Sequence, residues 1–369
     1  LTEEKAQQIE VLDVSDDNIK EVLGDRAPIT SLMGIRYLRY VKDLNCSGQE
    51  LKKTLNLEQN SRVEKLNCSG NQLTGLWFHK GSSLKYLNCS VNKFTALNLS
   101  KNPELTELYC SSNKLTALDL SYNGALESLG VNDNPITELN LHPLSNLQKL
   151  SCSAMKLKKL DVDRCPKLRR LYCNDNQIET LDLRSNKKLE TLYCQNNRLS
   201  WLNLSSNTAL DPRYVDCSGN VYDIKVDENL QYKVYPDLPC YGATEGTYFT
   251  AARASDWTGG TVSKVDGWDV LTLDNRDVKE VTYKYDTGNA KIGKVAFTLK
   301  TEVPAAYVIS SAALTVQSPV EGESAANPTV TTASGAKYVV ERADWRASGS
   351  MTVYTGAFEK GKSYTLNLL

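Results

Sequence analysis

Four stretches decide the fold: LNCSVNKFTALNLSKNPELTE (residues 87–107), LYCSSNKLTALDLSYNGALES (108–128), LYCNDNQIETLDLRSNKKLET (171–191) and LYCQNNRLSWLNLSSNTALDP (192–212). Written beneath one another they share the template Leu-x-Cys-x-x-Asn-x-Leu-x-x-Leu-x-Leu-x-x-Asn-x-x-Leu-x-x. Further coils open at Leu66, Leu129 and Leu150 in the same 21-residue spacing, while the flanking ones open at Leu44, one residue longer, and Val215, displaced by two. VLDVSDDNI, around Leu12 to Ile19, reads as a degenerate first coil, and ITSLMGIRYLRYVKDL as a helix-like excursion before the regular series. A coil of this length cannot bury its own leucines. Stacking coils at the inter-strand spacing of about 4.8 Å makes a parallel sheet over one continuous column of leucine. Period two within Leu-x-Cys turns Leu and Cys inward. The same alternation recurs at Leu118-Asp119-Leu120, which predicts a second short strand on the opposite side and a flattened coil.

Over about residues 10 to 225 this pattern resembles the leucine-rich repeat family, whose mark is L-x-x-L-x-L-x-x-N/C-x-L. Its style is similar to bacterial surface repeats such as internalins. The resemblance implies a solenoid that places a ligand across its outward strand face.

Eight cysteines, Cys46, Cys68, Cys89, Cys110, Cys152, Cys173, Cys194 and Cys217, share the inward position after the opening Leu. Disulfides need a specific side-chain orientation and zinc needs loop-like clusters such as C-x-x-C, so this column reads as buried free thiols acting as small hydrophobes. Cys165 and Cys240 fall outside it. Asn71, Asn92, Asn113, Asn134, Asn176, Asn197 and Asn220 recur where the strand ends, positioned to satisfy backbone groups of neighbouring coils. Gln49 and Met155 interrupt that series, which predicts local irregularity, above all at Met155.

The outward residues flanking Leu and Cys are the candidate ligand contacts. Tyr86, Tyr109, Arg170, Tyr172, Tyr193 and Tyr214 crowd this face, and Tyr172 and Tyr193 should be neighbours on adjacent strands with Arg170 and Tyr214 diagonal to them. Aromatic residues and Arg are favoured at recognition hot spots, although β-propensity alone also places Tyr on solvated sheets. A row of Asn98, Asp119, Asn140, Asp161, Asp182 and Asn203 on the other side suggests calcium. Calcium wants six to eight oxygens converging on one point, so solvated polar residues are the better reading. His79 and His142 lie three coils apart and cannot share one metal. No catalytic signature, metal site or cofactor motif emerges.

With 43 Lys+Arg against 44 Asp+Glu, the net charge of −1 speaks against nucleic acid as a partner. The basic residues between Lys156 and Arg170 scatter around their coil and are interrupted by Asp161 and Asp163. The opening LTEEKAQQIEV lacks the basic flank and apolar core of a signal peptide, so a membrane link would run through a removed or lipidated leader. At sequons such as Asn67-Cys68-Ser69 on the display strands, eukaryotic glycosylation would block the face, which favours a bacterial source.

Beyond about residue 225 leucine thins out and runs such as KEVTYKY, KVAFTLK and SYTLNLL read as strands between turns. The expected fold class is mainly β: a cap and degenerate repeat (1–43), a leucine-rich repeat solenoid (44–225) and an immunoglobulin-like β-sandwich (226–369), with Trp257, Trp268 and Trp345 as core anchors. The expected function is non-enzymatic recognition of a protein or glycan by a secreted or bacterial surface adhesion protein. A spacer or self-association role, or an effector with a catalytic C-terminal domain, are the alternatives.

Overall fold

The computed structural model describes residues 5, 7–23, 27–234, 238 and 248–304, with four strand segments at 314–316, 330–332, 343–347 and 364–368. The chain divides into two compact units, Leu1–Pro304 and Ala305–Leu369. The first opens with β1 (Val11–Asp13), helix α1 (Asp16–Leu23), β2 (Asp43–Asn45), β3 (Lys52–Leu57), β4 (Lys65–Asn67), β5 (Gln72–Phe78) and β6 (Tyr86–Asn88). The regular coils follow with β7 (Glu107–Tyr109), β8 (Ser128–Gly130), β9 (Lys149–Ser151), β10 (Arg170–Tyr172), β11 (Thr191–Tyr193) and β12 (Val215–Asp216). All of these strands except β3 and β5 form one ten-stranded parallel sheet in chain order. Its register sets each opening Leu against the next, from Leu12 opposite Leu44 to Leu171 opposite Leu192. The degenerate first coil therefore takes its place at the sheet's edge. The excursion after it is only a 3-10 turn, Met33–Tyr37, because apolar Ile35 alone is buried there and little holds a longer helix.

The opening leucines from Leu44 to Leu192 have no solvent exposure, and the thiols beneath them are equally buried, with Val131 standing in the cysteine column. Nine cysteines are free; Cys240 lies outside the described residues. Burial pushes the thiols of Cys46, Cys110 and Cys152 up to about 12. Cys194 is raised first by its hydrogen bond with Cys217 and then by burial. These thiols are packing groups, not nucleophiles, since the reactive form is the thiolate.

The asparagine column works as expected. Asn113 donates to the carbonyls of Cys89 (3.1 Å) and Cys110 (3.0 Å) and accepts from the Phe94 N–H (3.1 Å), tying three coil segments with one buried amide. Gln49 does not break the series: its longer arm donates to Val14 O (3.0 Å) and accepts from Ile29 N (2.7 Å), the same bridge across a coil of different length. Nor does the chain turn differently at Met155. Val91, Ser112, Asp133, Ala154, Asp175 and Asn196 all turn in the left-handed region at φ 53–56°. Ala154 N donates to Asn174 O (3.0 Å) as Asp133 N does to Ser153 O (3.0 Å). The turn is set by the backbone, and the amide at the next position reinforces it.

The expected second strand forms only as β3 and β5, which pair in parallel. Later coils keep isolated bonds between neighbours, such as Lys114 N to Phe94 O (2.8 Å), and then turn on bonds within the coil, as in Asn123 N to Leu120 O (3.0 Å). A second asparagine column lines this side: Asn123 donates to Leu99 O (3.3 Å) and Asn102 O (2.9 Å), and Asn207 to Leu183 O (2.9 Å) and Asn186 O (3.0 Å). Cys165 sits at the same template position, its thiol 3.9 Å from Leu141 O.

After the coils come β13 (Val221–Lys225), β14 (Gln231–Lys233), β15 (Ala254–Thr258), β16 (Gly260–Val265), β17 (Trp268–Leu273), β18 (Glu280–Asp286) and β19 (Lys294–Glu302). They make two sheets, β13-β19-β18-β15 and β14-β17-β16, antiparallel except for the parallel β13–β19 pair. The change of sequence pattern near residue 225 thus falls inside the first compact unit. The seam is built as one more coil: Leu204 N donates to Thr287 O (2.8 Å), and Asn289 donates to Leu204 O (3.3 Å) and Asn207 O (2.9 Å), continuing the second asparagine column from 82 residues away. Tyr283 donates its hydroxyl to Ser200 O, and Trp201 packs on Tyr285 at 6.2 Å. Trp257 anchors the core, stacked on Tyr283 at 4.3 Å. Trp268 does not, being 41% exposed, because it opens β17 at its outer end. In the second unit β20 (Leu314–Val316) pairs with β21 (Val330–Thr332) and β22 (Ala343–Ala347) with β23 (Tyr364–Leu368), both antiparallel. Trp345 lies in β22, its side chain outside the described residues.

A raised folded-state thiol pKa stabilises fully below the unfolded value and the contribution is lost as pH climbs towards the folded one. The denaturation midpoint should therefore fall between pH 9 and about 12, at about 1.4 kcal/mol per pH unit for each thiol as an upper bound. Cys110→Val, copying Val131, should flatten that fall in a pH series of urea melts. Asn289→Ala, which leaves two carbonyls at the coil end without a donor, should cost about 1–3 kcal/mol in the same assay.

Candidate functional site

Because Leu and Cys alternate inward, the residues before and after each opening Leu project from the ten-stranded sheet. At the third to last strands this face forms an open depression of about 610 Å³ whose walls include Arg170, Tyr172, Thr191, Tyr193, Asp211 and Tyr214. Tyr172 and Tyr193 are paired directly across β10 and β11, and their rings stack at 5.4 Å with 12° between planes. Tyr214, 48% exposed, borders them, with the Arg213 guanidinium 5.6 Å from its ring. Four of the six expected contacts are thus brought together, in the diagonal arrangement that the template implies.

The other two are used differently. Tyr109 lies over Gly130, where an added Cβ would meet its ring carbon at 3.0 Å, and its hydroxyl donates to Glu107 (3.0 Å) and sits 3.0 Å from the Ser128 hydroxyl. Burial leads in raising its pKa. Tyr109 borders a second depression with Glu107, Lys149 and Arg170, and Tyr86 a third with Lys65 and Lys85. The rings of Tyr86 and Tyr109 are 5.8 Å apart and tilted by 52°. Tyr86 is raised by burial and then by the Glu107 charge.

A row two residues before each opening Leu escaped the sequence reading. Glu10 pairs with Lys42 (3.0 Å), Glu64 with Lys85 (2.9 Å), Gln148 donates to Glu127 (3.1 Å) and Arg169 pairs with Glu190. Opposite signs at a 21-residue spacing, as at Glu64 and Lys85 and at Arg169 and Glu190, were the available signal. The pairs are exposed and screened by solvent, so each contributes little stability, but they fix the charge pattern along one margin of the face.

On the far side, the Asn and Asp row holds its own turns. Asn98, Asp119, Asn140, Asp161, Asp182 and Asn203 each accept the N–H two residues on, at 2.9–3.1 Å. These Asx turns explain the row without an ion. The hydrogen bond from Ser121 holds the Asp119 carboxyl below its ordinary range. His142 reaches Asp161 at 3.1 Å. Among the described residues no three His, Cys, Asp or Glu side chains gather as metal ligands, and no helix is long and apolar enough to cross a membrane.

No family model matches the chain, and no curated protein does. Among solved structures it is similar to the functional domain of InlJ from Listeria monocytogenes, described as including a cysteine ladder, at 21% identity over 82% of this chain and 92% of that one (TM-score 0.33). It is also similar to YopM, a leucine-rich effector protein from Yersinia pestis, at 24% identity over 51% of this chain and 52% of that one (TM-score 0.44). Internalin C2 from Listeria monocytogenes shares 19% identity over 59% of this chain and 84% of that one (TM-score 0.39). At these scores the solenoid assignment rests on the chain's own strand register and its leucine and cysteine columns.

If the Asx turns are what the polar row is for, Asp119→Asn, which keeps the acceptor, should leave the urea midpoint unchanged. Asp119→Ala should lower it, and added calcium should shift neither variant.

Proposed function

We propose that this chain is a non-enzymatic recognition protein, secreted or displayed at a bacterial surface, that binds a protein or glycan through the outward face of its parallel sheet. The observation that carries the reading is the depression walled by Arg170, Tyr172, Tyr193 and Tyr214. It joins two parallel rings, a third exposed ring and a cation beside Glu190 and Asp211. Large rings held by neighbouring strands present contact area at low entropic cost, and Tyr and Arg dominate binding energy where partners meet. Tyr86 and Tyr109 extend the surface towards the first coils.

An immunoglobulin-like reading of residues 221–304 is supported by strand order. Taken as seven successive strands, the second, fifth and fourth form one sheet and the third, sixth and seventh the other, with the first beside the seventh. On this reading the module closes the solenoid's open end and holds the Tyr-rich coils rigid.

The test is binding of the full chain to arrays of glycans and host extracellular proteins, followed by titration of the strongest hit. The Tyr172→Ala, Tyr193→Ala double variant should lose at least about 30-fold in affinity, the scale of a hot spot. Its stability should fall by about 1–3 kcal/mol, since the rings are half-buried and stacked across two strands, so the urea midpoint is read beside the affinity to show that the variant is folded. Unchanged affinity for the hit would refute the site.

A further inference from the structure

The Asx row on the far side begins earlier than the sequence reading placed it. Asn56, at the same template position, accepts Glu58 N at 2.9 Å, and the series then runs at 21-residue intervals to Asn203 with one exception. That exception is Trp77. It faces Asn56 in the β3–β5 register and precedes Asn98 by one coil. In β5 the inward neighbours Leu76 and Phe78 are buried, so the alternation turns Trp77 outward, and it is 56% exposed. An indole cannot accept the turn N–H, so this coil gives up the bond that every other member of the row makes and leaves a large ring in water. A turn bond given up for a half-exposed ring is the kind of departure from a local rule found at functional positions.

Beside the ring is a depression of about 440 Å³ bordered by Glu58, Ala96, Leu97, Asn98 and Lys101. Glu58 also borders a larger one, about 600 Å³, across β3, where Tyr37 is 63% exposed with Arg36 donating to its hydroxyl (2.9 Å). Two exposed rings therefore flank a polar middle of amide and carboxylate groups. This lies where the far side of the coils forms a true two-stranded sheet. At the Trp77 end the Lys101 ammonium is engaged, donating to Phe78 O (3.1 Å) and 3.9 Å from Glu58, so the depression beside the indole offers no free cation to an anionic ligand, while Arg36, Arg39 and Lys52 border the Tyr37 end.

We propose that this far-side surface is a binding site for a neutral oligosaccharide, separate from the tyrosine face. The C–H face of a sugar ring stacks on the Trp77 indole, and its hydroxyls exchange hydrogen bonds with Asn56, Glu58 and Asn98. The shared Glu58 carries the site across β3 to Tyr37, a span that asks for more than one sugar ring. The amide and carboxylate groups of Asn56, Glu58 and Asn98 around the indole match the hydroxyls of a sugar and not an apolar peptide side chain, which is why the saccharide is the better occupant.

The experiment titrates the full chain with cellohexaose, xylohexaose and chitohexaose, with polygalacturonate and a proline-rich peptide in parallel, following tryptophan fluorescence and heat. Trp77→Asn is the key variant because it restores the residue type of the row and its turn bond, so it should fold at least as well as the parent. The expected result is binding of at least one neutral hexaose that weakens tenfold or more in Trp77→Asn and is unchanged in the Tyr172→Ala, Tyr193→Ala double variant. Failure of all three neutral sugars to bind, binding of only the polyuronate or the peptide, or equal affinity of Trp77→Asn would each overturn it. Because the tyrosine variant is scored separately, loss of one site does not decide the other.

Discussion

Stacking short parallel strands creates a problem at every strand end, where backbone carbonyls and N–H groups leave the sheet and enter an apolar column. A buried backbone group without a partner costs as much as a lost hydrogen bond, so the solenoid depends on the amides that meet these groups. The Asn71-to-Asn220 column does this at the ends of the display strands except at Met155, bridging two carbonyls and one N–H at a time. The Asn102-to-Asn207 column does it on the far side. Both are buried: the first engages its amide N–H groups and its carbonyl oxygen alike, whereas in the second the amide N–H groups of Asn102, Asn123, Asn186 and Asn207 donate and their carbonyl oxygens are left without a partner.

From that constraint the rest of the molecule follows. Once amides hold the strand ends, the inward positions need only fill volume, and Leu with Cys or Val does so without polar obligations. Thiols buried here are small hydrophobes whose raised pKa keeps them neutral. The outward positions are then free of structural duty except where they pair across coils, as Tyr109 does over Gly130. This separation lets the face accumulate rings near β10 and β11 without disturbing the core.

The end of a solenoid is the place where such a scheme fails, since the last coil has no neighbour to supply donors. Here Asn289 and Thr287, carried on the turn after β18, occupy the places of a further coil. The aromatic cluster of Trp201, Phe249, Trp257, Tyr283 and Tyr285 fills the gap behind them. The solenoid and the following two sheets are one compact unit for this reason, although their sequences follow different patterns.

The sequence by itself determined the coil length, the parallel register, the inward columns and the identity of the outward tyrosines. These all follow from a strict 21-residue period in which side-chain direction is set by strand alternation. It also determined the pairing of Tyr172 with Tyr193, because equal template positions on adjacent coils must be neighbours. What only the tertiary structure decided are features that depend on partners distant in sequence or on local bonding that no period reveals. Gln49 replaces an asparagine because its extra methylene spans a longer coil, and Met155 leaves the turn intact because the backbone sets it. Far-side strand pairing is confined to β3 and β5 although the later coils repeat the same apolar alternation. Asn289 joins a column begun more than a hundred residues earlier because packing, not spacing, brings it there. Trp77 falls in both classes: its place in the row is legible from the period, but only the structure shows that every other member of the row holds a turn and that this one does not.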